Sequence, residues 1–240
     1  MHKNSENPAG RRPDTGDVSV FVVVPAYNES EVVGQVVESL RRDYPNVVVV
    51  DDGSTDETRE AAKAAGATVL RHVINRGQGA AIQTGIEFSL LSGATHIVTF
   101  DADGQHEVAD IARLLEPILR GDCEIAMGSR FLGEAIDLPV SRRMTLKLGV
   151  LFTRFTSGVN LSDVHNGLRA FSRKAAQRIH IRLDGMAHAS ELIDLIHRSG
   201  LPYREVPVTI RYTEYSRAKG QSTRGAIRIA WHYLLGRVVR

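Results

Sequence analysis

The sequence predicts an α/β domain built on a mostly parallel sheet with helices on both faces, and three observations carry that expectation. Strand-like and helix-like patterns alternate over about 110 residues from Val18 onward, the rhythm of parallel strands joined by crossover helices. The first apolar runs, Val18–Val24 and Val47–Val50, are continuous rather than alternating, as in strands covered on both faces. Acidic or glycine-bearing clusters follow several strands directly, where sheets of this class bind ligands.

In chain order, Val18–Val24 is the first strand, and Glu29–Arg42 carries Val32, Val33, Val36, Val37 and Leu40 at helical spacing. Val47–Val50 is the second strand, and Asp56–Ala65 an alanine-rich helix that Gly66 stops. A strand at Thr68–Arg71, a helix at Gly79–Leu91, a strand at His96–Phe100, a helix at Glu107–Leu119 and a strand at Glu124–Met127 follow. The later half is less regular: a helix over Ser141–Phe155, a strand over Gly167–Phe171 and a helix over Ala187–Arg198 ended by Gly200. One or two strands lie in Tyr203–Tyr212, broken at Pro207, and a last helix in Ser222–Val239. Residues 1–17 read as a disordered tail, 18–221 as one domain in two halves (18–130 and 131–221) and 222–240 as a basic amphipathic helix.

Composition narrows the function. Cys123 is alone, so no internal disulfide forms. No apolar run approaches the ~20 residues that span a bilayer, and residues 1–17 are too polar for a signal peptide. A cytoplasmic, peripheral protein is the expectation. The net charge is only +2, but Tyr203–Arg240 holds eight basic residues against Glu205 and Glu214. That bias suits phosphates. No base-stacking or groove-reading motif accompanies it, which argues against nucleic acid.

The chemistry-bearing residues sit after the strands. Pro25-Ala26-Tyr27-Asn28-Glu29 follows the first strand and Asp51-Asp52-Gly53-Ser54-Thr55-Asp56 the second. Helix capping accounts for Asp56 and for Ser54, but not for two adjacent aspartates at a strand end. Asn75-Arg76-Gly77-Gln78-Gly79 opens the third helix, whose N-terminus favours anions. Asp101-Ala102-Asp103-Gly104-Gln105-His106 follows the fourth strand. Two carboxylates one residue apart can share Mg²⁺ or Mn²⁺ with diphosphate oxygens. A plain acidic turn is the bland reading of an isolated Asp-x-Asp; EF-hand spacing is absent.

With Gly128-Ser129-Arg130 these motifs, in this order, resemble the family 2 glycosyltransferases, and within them the dolichyl-phosphate mannose synthase and polyprenyl-phosphate glycosyltransferase branch. The likeness runs from about Val18 to Ile229. It implies a GT-A fold, a divalent ion and a nucleotide-diphosphate sugar donor. It places the nucleotide against Pro25, Tyr27, Glu29, Val50 and Asp52, metal and diphosphate at Asp101, Asp103 and Gln105, and Ala102 in the pocket lining. Arg130 would approach the reacting phosphate or the sugar, with Asp101 and Asp103 as the other catalytic groups. Arg217 and the Gly220-Gln221-Ser222 turn resemble the diphosphate-closing segment; Thr223 stands where the family often has lysine, so Lys219 is the substitute.

The expected reaction is inverting transfer from a GDP- or UDP-sugar to a polyprenyl phosphate, whose oxygen is already anionic and needs no base. Ser190-Glu191-Leu192 lacks the aspartate of the Glu-Asp pair found in hydroxyl-accepting relatives, which favours the phosphate. The alternative is a hydroxyl acceptor, with Glu191 or His165 as base. Arg142 and Arg143, beside an apolar stripe on the Ser141–Phe155 helix, suit the acceptor phosphate together with Arg130. Asp163–Phe171 is similar to the family's acceptor segment, with Asp163 and Arg169 expected as an internal ion pair. His72, His180, His188 and His197 lack ligand spacing and are assigned to packing or the surface. A membrane surface and a small membrane partner complete the expected contacts.

Overall fold

The computed structural model describes residues 18–157, 159–213 and 215. The predicted tail 1–17, Arg217, Lys219, the 220–222 turn and the 222–239 helix lie outside the described residues. Seven strands form one sheet in the order β3-β2-β1-β4-β6-β5-β7. They are β1 (Val20–Ala26), β2 (Asn46–Asp51), β3 (Thr68–Arg71), β4 (His96–Thr99), β5 (Ile125–Ile136), β6 (Arg169–Ser172) and β7 (Tyr203–Arg211). The helices are α1 (Val33–Arg41), α2 (Thr58–Ala64), α3 (Gln78–Leu91), α4 (Asp110–Leu119), α5 (Val140–Ser157), α6 (Arg173–Arg178) and α7 (His188–Ser199).

Pairs β1–β2, β1–β4, β2–β3 and β5–β7 are parallel, while β6 runs antiparallel to both neighbours. The mostly parallel sheet is as expected, and the reversed β6 has a site consequence. Its beginning, not its end, lies beside the carboxyl end of β4, with Thr99 opposite Arg169. The loop leading into β6 therefore joins the loops leaving β1, β2 and β4 at one sheet edge.

Valine-rich β1 and β2 are buried on both faces, as their continuous apolar runs require. One core joins Val22, Val24, Val47 and Val49 to α1 and α4; the other joins Val23, Val48 and Val50 to α3 and α7. Two local readings change. The strand Tyr203–Arg211 is continuous through Pro207, which pairs with Ser129. β7 is an edge strand, where a missing N–H can face outward at no cost to the sheet. The short α6 has no counterpart in the sequence reading; Ser172 caps it by accepting from the Ala175 amide.

Candidate active site

The segments expected to meet the donor follow β1 and β2 and precede α3. After β1, Tyr27 is 44 % exposed and Asn28 adopts positive φ. The Asn28 amide donates to Ser54 Oγ at 2.9 Å and the Glu29 amide to Thr58 Oγ1 at 2.7 Å, tying this loop to the one after β2. Ser54 thus acts as a loop tie rather than the expected helix cap. Asp56 does cap: its Oδ1 accepts from the Thr58 amide and its Oδ2 from the Ser30 amide. Despite burial, these bonds lower its pKa to about 2. Tyr215 donates to Glu29 Oε2 at 2.6 Å, tying a residue just beyond Arg211 to the same loop.

Asp52, 2 % exposed, points into the Asn75–Gly79 loop. Its Oδ1 accepts from the Arg76 amide and Oδ2 from the Gly77 amide at 2.6 Å, and Oδ1 also meets His72 Nδ1. His72 Nε2 in turn meets Thr84 Oγ1 at 3.0 Å. Gly77 holds φ +111, and a side chain there would strike the Asp184 carbonyl, so the tight bend requires glycine. The Gly79 and Ala80 amides both donate to the Asp184 carbonyl. The expected anion-binding helix end is therefore already capped within the protein, because four elements meet there. Val50 is likewise fully buried in the core, Ala102 is in the opposite core cluster and Pro25 is buried.

The expected metal residues lie in the loop after β4. Asp101 Oδ1 accepts from Gln78 Nε2 at 3.0 Å and Oδ2 meets His106 Nε2 at 3.0 Å, while the His106 ring stands edge-on to Phe100. Gly167 lies so close to this carboxylate that a Cβ would come within 2.0 Å of Oδ2. Burial pushes the Asp101 pKa up, but the His106 hydrogen bond and charge, with Arg169 and His188, pull it below the usual range. Asp103 behaves oppositely: burial and the neighbouring Asp101 charge raise it to about 6. Its Oδ1 accepts from the Gln105 amide, and Gln105 is itself 8 % exposed.

Beyond this loop Arg130 is buried, its Nε donating to Asp163 Oδ2 at 2.6 Å and its Nη1 to Tyr212 Oη at 2.5 Å. The guanidinium of Arg142 stacks over the same Tyr212 ring, 5.2 Å from its centroid. Arg143 is exposed. The expected Asp163–Arg169 pair is replaced by Asp163–Arg130. Arg169 is buried near Asp101 and Asp163, and burial, the largest influence, lowers its pKa; its Nη1 and the Asn166 Nδ2 are buried without a hydrogen-bond partner. Glu205 fixes this loop to β7 by accepting from the Ser162 and Asp163 amides.

This geometry has relatives. The glycosyl transferase family 2 model matches residues 21–179. The chain is a family 2 glycosyltransferase. Among similar proteins of this family, MJ1222 of Methanocaldococcus jannaschii, a protein without an assigned function, is 39% identical over 91% of this chain and 92% of its own length. The UDP-N-acetylglucosamine–dolichyl-phosphate N-acetylglucosaminyltransferase of Methanococcus voltae is 32% identical, covering 91% of this chain and 96% of its own. The polyprenol monophosphomannose synthase of Mycolicibacterium smegmatis is 33% identical, covering 98% and 93%. The fold is GT-A-like: glucosyl-3-phosphoglycerate synthase from Mycobacterium tuberculosis, solved with Mn²⁺, UDP-glucose and phosphoglyceric acid, superposes with a TM-score of 0.70 at 20% identity. That match covers 92% of this chain and 80% of the other.

The chain is thus a nucleotide-sugar-dependent glycosyltransferase of GT-A type, related to polyprenyl-phosphate sugar transferases in general. In this glycosyltransferase Asp101, Asp103 and Gln105 converge in one loop, and Arg130 and Arg142 converge on Tyr212. Three contributors escaped the sequence reading: Gln78, His106 and Tyr212. Gln78 and His106 sat in quoted motifs without a role assigned to them, and no spacing links Tyr212 to an arginine 82 residues away. Glu191, weighed as a base, is 3 % exposed and accepts from the Arg182 and Leu183 amides, a structural task.

Proposed function

We propose that this enzyme transfers a sugar from a GDP- or UDP-sugar to a polyprenyl phosphate, with inversion and with Mg²⁺ or Mn²⁺ as cofactor. The observation that carries the reading is the pair of arginines on one tyrosine. Arg130 and Arg142 bring two guanidinium groups to Tyr212, with Asp163 offsetting the charge of Arg130, so the cluster keeps a net positive charge for an anionic phosphate. The two named bonds of Arg130 use two of a guanidinium's five N–H donors, leaving others for phosphate oxygens. The names of the sequence relatives from Methanococcus voltae and Mycolicibacterium smegmatis support this acceptor class.

The metal's residues fit on chemical grounds. Among the described residues no group of three His, Cys, Asp or Glu side chains assembles a closed cage. A hard cation at a nucleotide site takes one or two carboxylates plus phosphate oxygens and water, so Asp103 and Asp101, with Gln105, suffice. Burial and the neighbouring Asp101 charge raise the Asp103 pKa, and a cation beside it would relieve both. When bound, the ion would offset charge on the departing nucleotide diphosphate. His106 and Gln78 hold the Asp101 carboxylate in place. Tyr27 and Glu29 border the donor; Arg217 and Lys219, assigned to its diphosphate by the family resemblance, lie outside the described residues.

In the reaction the acceptor oxygen forms a bond to the anomeric carbon as the bond from that carbon to the diphosphate oxygen breaks. The bonding pair leaves with the diphosphate. A phosphate acceptor has no proton to surrender, so no base takes part.

A second reading, transfer to a hydroxyl, is favoured by His165 and by the solved relatives, which weigh toward it. His165 is solvent-accessible, and the protein mass around it lowers its pKa, with Asp163 opposing and Arg130 and Arg169 assisting. A neutral imidazole at physiological pH can accept a hydroxyl proton. Several solved relatives pair a uridine nucleotide with phosphoglyceric acid. Incubation with radiolabelled GDP- and UDP-sugars, with a short-chain prenyl phosphate or with hydroxyl acceptors, separates the two. Product partitioning into organic solvent, insensitive to His165→Asn, upholds the phosphate reading; water-soluble product lost with His165→Asn overturns it.

A further inference from the structure

Helix α5 reverses the usual arrangement of an amphipathic surface helix. Val140, Met144, Leu148 and Leu151 are 76%, 63%, 63% and 61% exposed. At 3.6 residues per turn their side chains leave the axis within an arc of roughly 80°. The opposite side faces the protein: Arg142 lies over Tyr212, Thr153 is buried, and Gly149 sits against the His165 ring. Arg143, Lys147 and Arg154, all exposed, run along one border of the apolar arc. The eighteen residues of α5 contain no acidic side chain. A solvent-facing helix surface normally carries the polar residues, so this stripe is built to be covered.

We propose that this outer face of α5 docks the enzyme on an anionic lipid surface. The charge pattern selects that occupant: a basic border without acids complements anionic headgroups, while the apolar stripe enters the headgroup–acyl boundary. The inference rests on the lipid-phosphate reading of the acceptor and deepens it. Because Arg142 projects from the other side of the same helix, docking would set the phosphate-binding arginines at the level where a lipid phosphate lies.

The test uses full-length protein and vesicles of phosphatidylcholine with or without phosphatidylglycerol, free of any isoprenoid lipid. Wild type is expected to float with anionic vesicles and to stay behind with neutral ones. The variant Met144→Ser/Leu148→Ser/Leu151→Ser should lose partitioning by about tenfold or more, with unchanged melting and nucleotide binding. Arg143→Gln/Lys147→Gln/Arg154→Gln should lose the preference for anionic vesicles. If the triple-serine variant misfolds, Leu148→Cys labelled with an environment-sensitive dye tests insertion with the other stripe residues intact, since Cys123 is buried.

The proposal is overturned if wild type fails to float, if the triple-serine variant floats as wild type does, or if the dye shows no shift on anionic vesicles. It is also overturned if light scattering shows that the serine changes split a dimer, which would assign the stripe to a second copy. New proteolytic cleavage within residues 216–240 of the serine variant, with flotation unchanged, would assign it to that segment instead. Turnover of a water-soluble prenyl phosphate is scored separately. Turnover without flotation sinks the docking face and spares the acceptor reading, and flotation without turnover does the reverse.

Discussion

At the scale of single residues the two acids of the β4 loop divide the work. Asp101 is clamped by His106 and Gln78, whereas Asp103 sits crowded and partly uncompensated. Replacing Asp103 with Ala should lower transfer by about a hundredfold or more while leaving the melting temperature at or above wild type. Steady-state rates at saturating Mn²⁺ with parallel calorimetry check this, and near-full activity would remove Asp103 from the metal. His188 allows a second residue-level prediction. Burial, assisted by Arg169, lowers its pKa to about 4, with a bond to the Gly185 carbonyl opposing. The unfolded chain protonates this ring near pH 6.5, so the unfolded state binds the extra proton below that pH. The neutral ring's contribution is complete above about pH 6.5 and is lost as pH falls toward 4, worth on the order of 3 kcal/mol. Urea titrations at steps from pH 7 to 4.5 should show a steeper loss for wild type than for His188→Gln; parallel curves would contradict it. The packing role expected for His188 is thus what the structure shows. The partners of Asp52 and Arg130 were not legible in sequence, because their hydrogen bonds join residues 20 to 82 positions apart.

At the scale of elements the alternating strands and helices through α4 were readable because each apolar run has one period and a clear stop, such as Gly66. Helix α6, six residues long, carries too few apolar positions to display a period. The Asn75–Gly79 loop was readable as special but not for its purpose: its amides serve Asp52, and the amides that open α3 serve Asp184, so its glycines answer to packing. Close packing also governs α3 against β1. A Cβ on Gly85 would lie 2.2 Å from Val23 Cγ1, in a strand with no room to move. Gly85→Ala should therefore destabilise by about 1–3 kcal/mol despite the better helix propensity of alanine. Chemical denaturation measures it, and a variant as stable as wild type would show that α3 can shift outward.

For the molecule as a whole, the sheet was legible as mostly parallel, and family 2 membership followed from motifs in fixed order. The reversed direction of β6 was not legible, since the four residues Arg-Ala-Phe-Ser carry no pattern that distinguishes the two directions. That reversal divides labour between two kinds of chain segment. Exits from β1, β2 and β4 furnish the half proposed to meet the donor, where Asp52 and Asp101 are locked by several cross-ties. The approach to β6, by contrast, furnishes the opposing wall and is anchored chiefly through Glu205 and Asp163. On the proposed reading this wall meets the acceptor, so exchanges upstream of Ser162 are expected to change what the enzyme glycosylates while nucleotide binding is kept. A lineage built on this plan can diversify its products by rewriting one wall of the cleft, and chimeras that swap residues 137–161 between relatives are the direct way to redirect it.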